Sequence, residues 1–311
     1  MDIAIFVLAM SALIYGADFI IKESERIALH FNISHFVIGA TLIAFGTSLP
    51  EMAASMMASS QGKSDMAVAN VVGSVVFNIT LVLGAVFLLA NRLRPDRDLF
   101  NKDSAWIVVP VVFFVMMIFD GLISRFEGML FLVMMVAYLL FLFSDSKKEL
   151  ESEVDEALKK EPFAWAKSLL LLATGFVLTI GGAHFVVQSG SNIARMFGVS
   201  EWIIGLLLIS LGTSLPELVV SIMAIRKGNA DMSIGNIIGS NVANFSMVLG
   251  SAALVAPLHV ALQSSQFDIY MMIAASITLL FILANRLYNS VGGIMLLLLL
   301  GLFIQNSVQQ L

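Results

Sequence analysis

Apolar residues run in long blocks along this chain, and polar residues gather in the gaps between them. Blocks of about 17–25 residues match the length that a helix needs to cross the hydrocarbon core of a bilayer. Ten such blocks predict ten helices, over residues 3–21, 36–59, 66–90, 104–120, 126–144, 165–188, 202–225, 232–256, 267–285 and 291–305. One long polar stretch interrupts them, from Asp145 to Pro162. Its mixed charges predict a solvated, partly helical linker.

The blocks repeat. Ser34 to Glu51 reads SHFVIGATLIAFGTSLPE and Ser200 to Glu217 reads SEWIIGLLLISLGTSLPE. Asp65 to Gly84 reads DMAVANVVGSVVFNITLVLG and Asp231 to Gly250 reads DMSIGNIIGSNVANFSMVLG. Both pairs share one offset of 166 residues without a gap, which marks duplication of one unit. The predicted organisation is a first five-helix repeat at 1–144, a linker at 145–163 and a second repeat at 164–311. Five spans is an odd number, so the second copy starts on the opposite side of the membrane. The expected fold is therefore all-α, with ten transmembrane helices in two inverted repeats and broken helices 2 and 7. Transporters of that design place the substrate near the midplane, between the repeats.

Composition agrees with lipid as the solvent. Hydrophobic residues make up 59% and charged residues 13%, with a mean hydropathy of +0.94; soluble domains carry about 25% charged residues. The net charge of −5 is small and points to no nucleic-acid partner. With no cysteine, disulfides, thiolate metal sites and Cys nucleophiles are excluded, and four scattered histidines make no His-rich site. The first apolar run opens at Ile3 with no basic segment before it, so the first span is expected to be retained. Fourteen of the 17 lysines and arginines fall in the odd-numbered connections; Lys63, Arg125 and Arg195 are the exceptions. By the positive-inside rule, both termini face outward and the linker is cytoplasmic. A prokaryotic inner membrane suits the compact size.

Glu51 and Glu217 sit inside apolar runs, where a carboxylate costs roughly 2.5–3.5 kcal/mol on insertion scales. Appearing twice in one motif, they read as functional rather than as buried structural acids. Pro50 and Pro216 break the helix just before them and free backbone carbonyls. Such backbone is tolerated at membrane depth where it lines a cavity. Thr47 and Ser48 share a helix face with Glu51, as Thr213 and Ser214 do with Glu217. A second stripe, Asn70, Ser74 and Asn78, recurs as Asn236, Ser240 and Asn244; polar glue between helices is its alternative reading, more so for Asn70 and Asn236. All these donors are oxygens, which suits a hard cation, Ca²⁺ above Mg²⁺. Asp18 and His184 read as interfacial, Asp120, Asp268 and His259 as solvated, and the 18 methionines as apolar filler.

GTSLPE in both halves, each followed by GS-x₃-N, resembles the sodium/calcium exchanger branch of the cation/calcium antiporter superfamily, of the prokaryotic type. The resemblance implies Glu51 and Glu217 as principal Ca²⁺ ligands, joined by backbone oxygens of Thr47 and Thr213 and by Asn78. It implies flanking Na⁺ sites from side chains of Thr47, Ser48, Ser74, Thr213, Ser214 and Ser240 with carbonyls of Ala44 and Ser210. Asn244 stands where many relatives have Asp, a pattern shared with proton-coupled relatives, so the counter-ion stays open between Na⁺ and H⁺. GTSLPE favours Na⁺.

Two ionised glutamates leave an empty site doubly negative, which is costly to carry through a dry, occluded state. Uncompensated reorientation is then suppressed, and exchange replaces leak. The function expected is Ca²⁺/Na⁺ antiport by alternating access, with H⁺/Ca²⁺ antiport as the alternative. An intramembrane hydrolase would need unlike roles for matched residues, and a channel would need a continuous pore. No enzyme activity, cofactor, nucleic acid or obligatory protein partner is expected; the partners are Ca²⁺, Na⁺ and the lipid bilayer.

Overall fold

The computed structural model describes residues 2–90, 93–149, 164–198 and 212–309. Their helices are α1 (Asp2–Phe31), α2 (His35–Thr47), α3 (Leu49–Ser60), α4 (Ser64–Leu89), α5 (Leu99–Met117) and α6 (Arg125–Glu149). After the linker come α7 (Trp165–Met196), α8 (Leu215–Arg226), α9 (Ala230–Val255), α10 (Leu262–Ala284) and α11 (Ser290–Gln309). Among the described residues, eight helices are long and apolar enough to cross a membrane, and α2 with α3 pass together as a ninth, broken span. The predicted seventh span is described only in its α8 part, because residues 199–211 lie outside the described residues, as does 150–163 of the linker.

The strands are β1 (Leu122–Ile123) and β2 (Leu258–His259), paired antiparallel with Leu122 opposite His259. They are an addition to the all-helical expectation. Both lie in loops between helices, where period-2 apolar patterning is too short to read.

The chain forms two compact units, each drawn from both repeats: Met1–Thr47 with Phe143–Asn236, and Ser48–Leu142 with Ile237–Leu311.

In the first unit α1 packs along α7. Small residues bring the backbones together: a Cβ on Gly182 would lie 2.7 Å from Leu13 N. Around this seam Ile20, Ile21, Ile38, Ile43, Leu172, Val220 and Met232 form the core. α1 runs ten residues past the predicted end at 21. Its extension carries good helix formers, and Lys22 pairs with Asp18 one turn back at 2.7 Å. Asn32, at φ 56°, then stops it. The Ile33 N–H closes the end on Ala28 O at 2.8 Å. Ser34 opens α2 by accepting from Val37 N. Asp18, expected at an interface, is held between Lys22 and Lys227, the latter at 2.6 Å.

In the second unit α3 packs on α4 and on the end of α9, where Ser59 Oγ donates to Ala252 O at 2.7 Å. α11 lies against the end of α4, and α10 against α4 and α5. The Phe114 and Phe245 rings tilt together at 5.5 Å and Trp106 and Tyr138 at 4.9 Å. At the entry to α5, Arg97 forms a fully buried pair with Asp103 through Nε and Nη2, at 2.6 and 3.1 Å. Asp98 caps the same helix; its hydrogen bonds from Asn101 hold its carboxyl below the ordinary carboxylate range.

Candidate functional site

The two GTSLPE motifs fold alike. α2 ends at Thr47, and Ser48 turns at φ −85°, ψ 1° before α3 begins at Leu49. Ser214 turns at φ −88°, ψ 0° before α8 begins at Leu215. Both serines occupy the sparsely allowed bridge region. Each proline is the second residue of its new helix, where no N–H is missed. Pro50 thus opens a fresh helix after the break at Ser48, rather than bending a continuous one, and Pro216 likewise stands in the first turn of α8. Glu51 and Glu217 fall in the first turn, 1% exposed each, at the positive end of the helix dipole.

The second motif is duplicated as closely. Within α4 the helix widens to a π turn over Asn78–Leu83, and within α9 over Asn244–Leu249. Each turn opens on a candidate asparagine. Single π turns often sit at functional sites. Hydroxyls serve carbonyls of the preceding turn: Thr80 Oγ1 donates to Val76 O and Ser246 Oγ to Val242 O. A third π turn, Gly39–Ile43, precedes Ala44.

The first unit contains Ala44, Thr47, Thr213, Ser214 and Glu217. Thr47 is fully buried and its hydroxyl faces the Glu217 carboxylate. Its single proton goes to the Ile43 or Ala44 carbonyl, at 3.2 and 3.3 Å. Glu217's own N–H also lies toward the carboxylate, but neither Glu217 oxygen has a well-formed hydrogen bond, and Ser214 Oγ has no partner. Thr213 is half-buried. Ser210 lies outside the described residues.

The second unit contains Ser48, Glu51, Ser74, Asn78, Ser240 and Asn244, all buried. Ser48 Oγ, Ser240 Oγ, Asn78 Oδ1 and both amide atoms of Asn244 have no partner. Buried polar groups are nearly always satisfied. Orphans occur elsewhere too, on Ser24, Thr179 and Ser191 among others, but those on the duplicated motif residues fit donors for a cation. Among the described residues no three His, Cys, Asp or Glu side chains gather as a metal cluster, so neutral oxygens must supply most of any ion's shell.

Asn70 and Asn236 have another role. Asn70 Nδ2 donates to Ser55 Oγ at 2.9 Å and to Glu51 O at 3.2 Å. Asn236 Nδ2 donates to Ser221 Oγ at 3.0 Å. They tie neighbouring helices together, which is the polar-glue alternative.

One neighbour went unnoticed in the sequence. Asn78 Nδ2 donates to Asn241 Oδ1 at 3.1 Å. Asn241 breaks the repeat, because Val75 stands at its equivalent. That mismatch was the available signal.

Membrane-length helices, with orphaned oxygens on both copies of a duplicated motif, define a multi-pass integral membrane protein suited to hard cations. The sequence matches the sodium/calcium exchanger protein family over residues 1–144 and 167–308. It is 34% identical to the uncharacterized membrane protein MJ0091 of Methanocaldococcus jannaschii, over 98% of this chain and 96% of that one. It is 30% identical to the sodium/calcium exchanger MaX1 of Methanosarcina acetivorans, over 90% and 91%. A solved structure of the sodium-calcium exchanger NCX_Mj matches with a TM-score of 0.83 at 30% identity, covering 98% of each chain. The chain belongs to the sodium/calcium exchanger family, a family of transporters, and is a cation/calcium antiporter.

Proposed function

We propose that this protein exchanges Ca²⁺ for Na⁺ by alternating access, with Glu51 and Glu217 as the principal Ca²⁺ ligands. The observation that carries this reading is the duplication of a buried glutamate in the first turn of a helix, in α3 and again in α8. Thr47, Ser48, Ser74, Thr213, Ser214 and Ser240 supply hydroxyls for Na⁺, with the carbonyls of Ala44 and Ser210. Asn78 completes the Ca²⁺ shell. The architecture is ten helices in two inverted repeats, with outward termini and a cytoplasmic linker, in a prokaryotic inner membrane.

The neutral Asn244 leaves only the two glutamates to compensate. One Ca²⁺ neutralises them, and three Na⁺ leave one positive charge, so three-for-one exchange moves net charge. A unit charge crossing the full field is worth about 2.3 kcal/mol per 100 mV. Purified protein in proteoliposomes should take up ⁴⁵Ca²⁺ along an outward Na⁺ gradient, at a rate that changes when K⁺ and valinomycin clamp the potential. Full uptake without Na⁺ that tracks pH and ignores voltage would replace Na⁺ by H⁺.

A further inference from the structure

The two halves of the asparagine pair are not equivalent. In the second unit Asn78 has its NH₂ committed to Asn241 Oδ1 at 3.1 Å, and its own Oδ1 has no partner. Asn244, its repeat equivalent, has no partner for either amide atom. The cause is one substitution between the repeats: Asn241 in the second corresponds to Val75 in the first. Both line one small cavity with Trp106, Pro110 and Ser276. An amide ligates a cation only through oxygen; turned over, it presents its NH₂, which a cation repels.

We propose that Asn241 is a positioning residue that locks the Asn78 amide with its carbonyl oxygen left available to Ca²⁺, while Asn244 has no such lock. This rests on the reading of Asn78 as a Ca²⁺ ligand. The lock removes one of two amide orientations from the empty protein. Ca²⁺ therefore does not have to select the right one on arrival. Losing it should halve the competent population of the empty site and so weaken Ca²⁺ binding by about twofold. It should leave the step after binding alone. Asn241 itself does not touch the ion in this scheme.

The experiment measures KM and Vmax for ⁴⁵Ca²⁺ in proteoliposomes, under whichever gradient drives the wild type. Asn241→Leu keeps the size and removes the acceptor. Asn241→Asp keeps an acceptor at the same reach. Expected are a KM raised about twofold in Asn241→Leu with Vmax unchanged, and a KM near or below wild type in Asn241→Asp. In an Asn78→Ala background, Asn241→Leu should add nothing. The inference is overturned if Asn241→Leu leaves KM unchanged, if Asn241→Asp raises KM as much as leucine does, or if Asn241→Leu costs the same with Asn78 absent. Should Asn241→Leu fail to fold, the Asn241→Asp result decides. A wild type that carries no Ca²⁺ sinks the functional reading first, and the inference falls with it.

Discussion

At the scale of single residues, the candidate ligands stand out in the sequence wherever they are written twice. Glu51 and Glu217, the hydroxyls beside them, and Asn78 with Asn244 all came from matching one repeat to the other. The structure puts orphaned buried oxygens on most of them. Asn241 escaped for the same reason: a search for identity between repeats discards the position where they differ. The glutamates invite the sharpest test. Glu51→Gln and Glu217→Gln keep shape and remove charge, so each should abolish ⁴⁵Ca²⁺ uptake while the purified protein keeps its thermal unfolding temperature. Wild-type rates in both variants would end the assignment.

At the scale of elements, hydrophobic blocks located the helices, and their ends were missed where polar residues continue the helix, as in α1 beyond residue 21. The π turns at Asn78 and Asn244 were invisible. Over five or six residues, a turn widened by one position barely shifts which side chains face the core. The buried Arg97–Asp103 pair was also unseen, because its arginine lies in a connecting loop and reads as a solvated charge. That pair makes a prediction unlike the one for the glutamates. Asp103→Ala removes the carboxylate from beside a guanidinium that is 1% exposed, and breaking a buried pair costs up to roughly 3–5 kcal/mol. Thermal unfolding in detergent should drop by several degrees.

At the scale of the whole molecule, charge asymmetry in the sequence predicts orientation, and the native chain offers no cysteine to confuse a test. Ser152→Cys should react with an impermeant maleimide from the cytoplasmic side alone; labelling from outside would overturn the topology. What the sequence hid is that compactness ignores the repeats. The second unit joins Ser48–Leu142 to Ile237–Leu311, and β1 finds β2 only at Leu258. That interleaving sets a schedule for biosynthesis. A ribosome adding about 5–20 residues per second needs roughly 10–40 s to go from Ser48 to Ile237. Throughout that interval the newly inserted Glu51 helix has α4 beside it but waits for the end of α9, which it keeps in the finished protein. The nascent chain is most exposed to quality control in the middle of its own synthesis, and a pause or a protease acting in that window decides how many copies are completed.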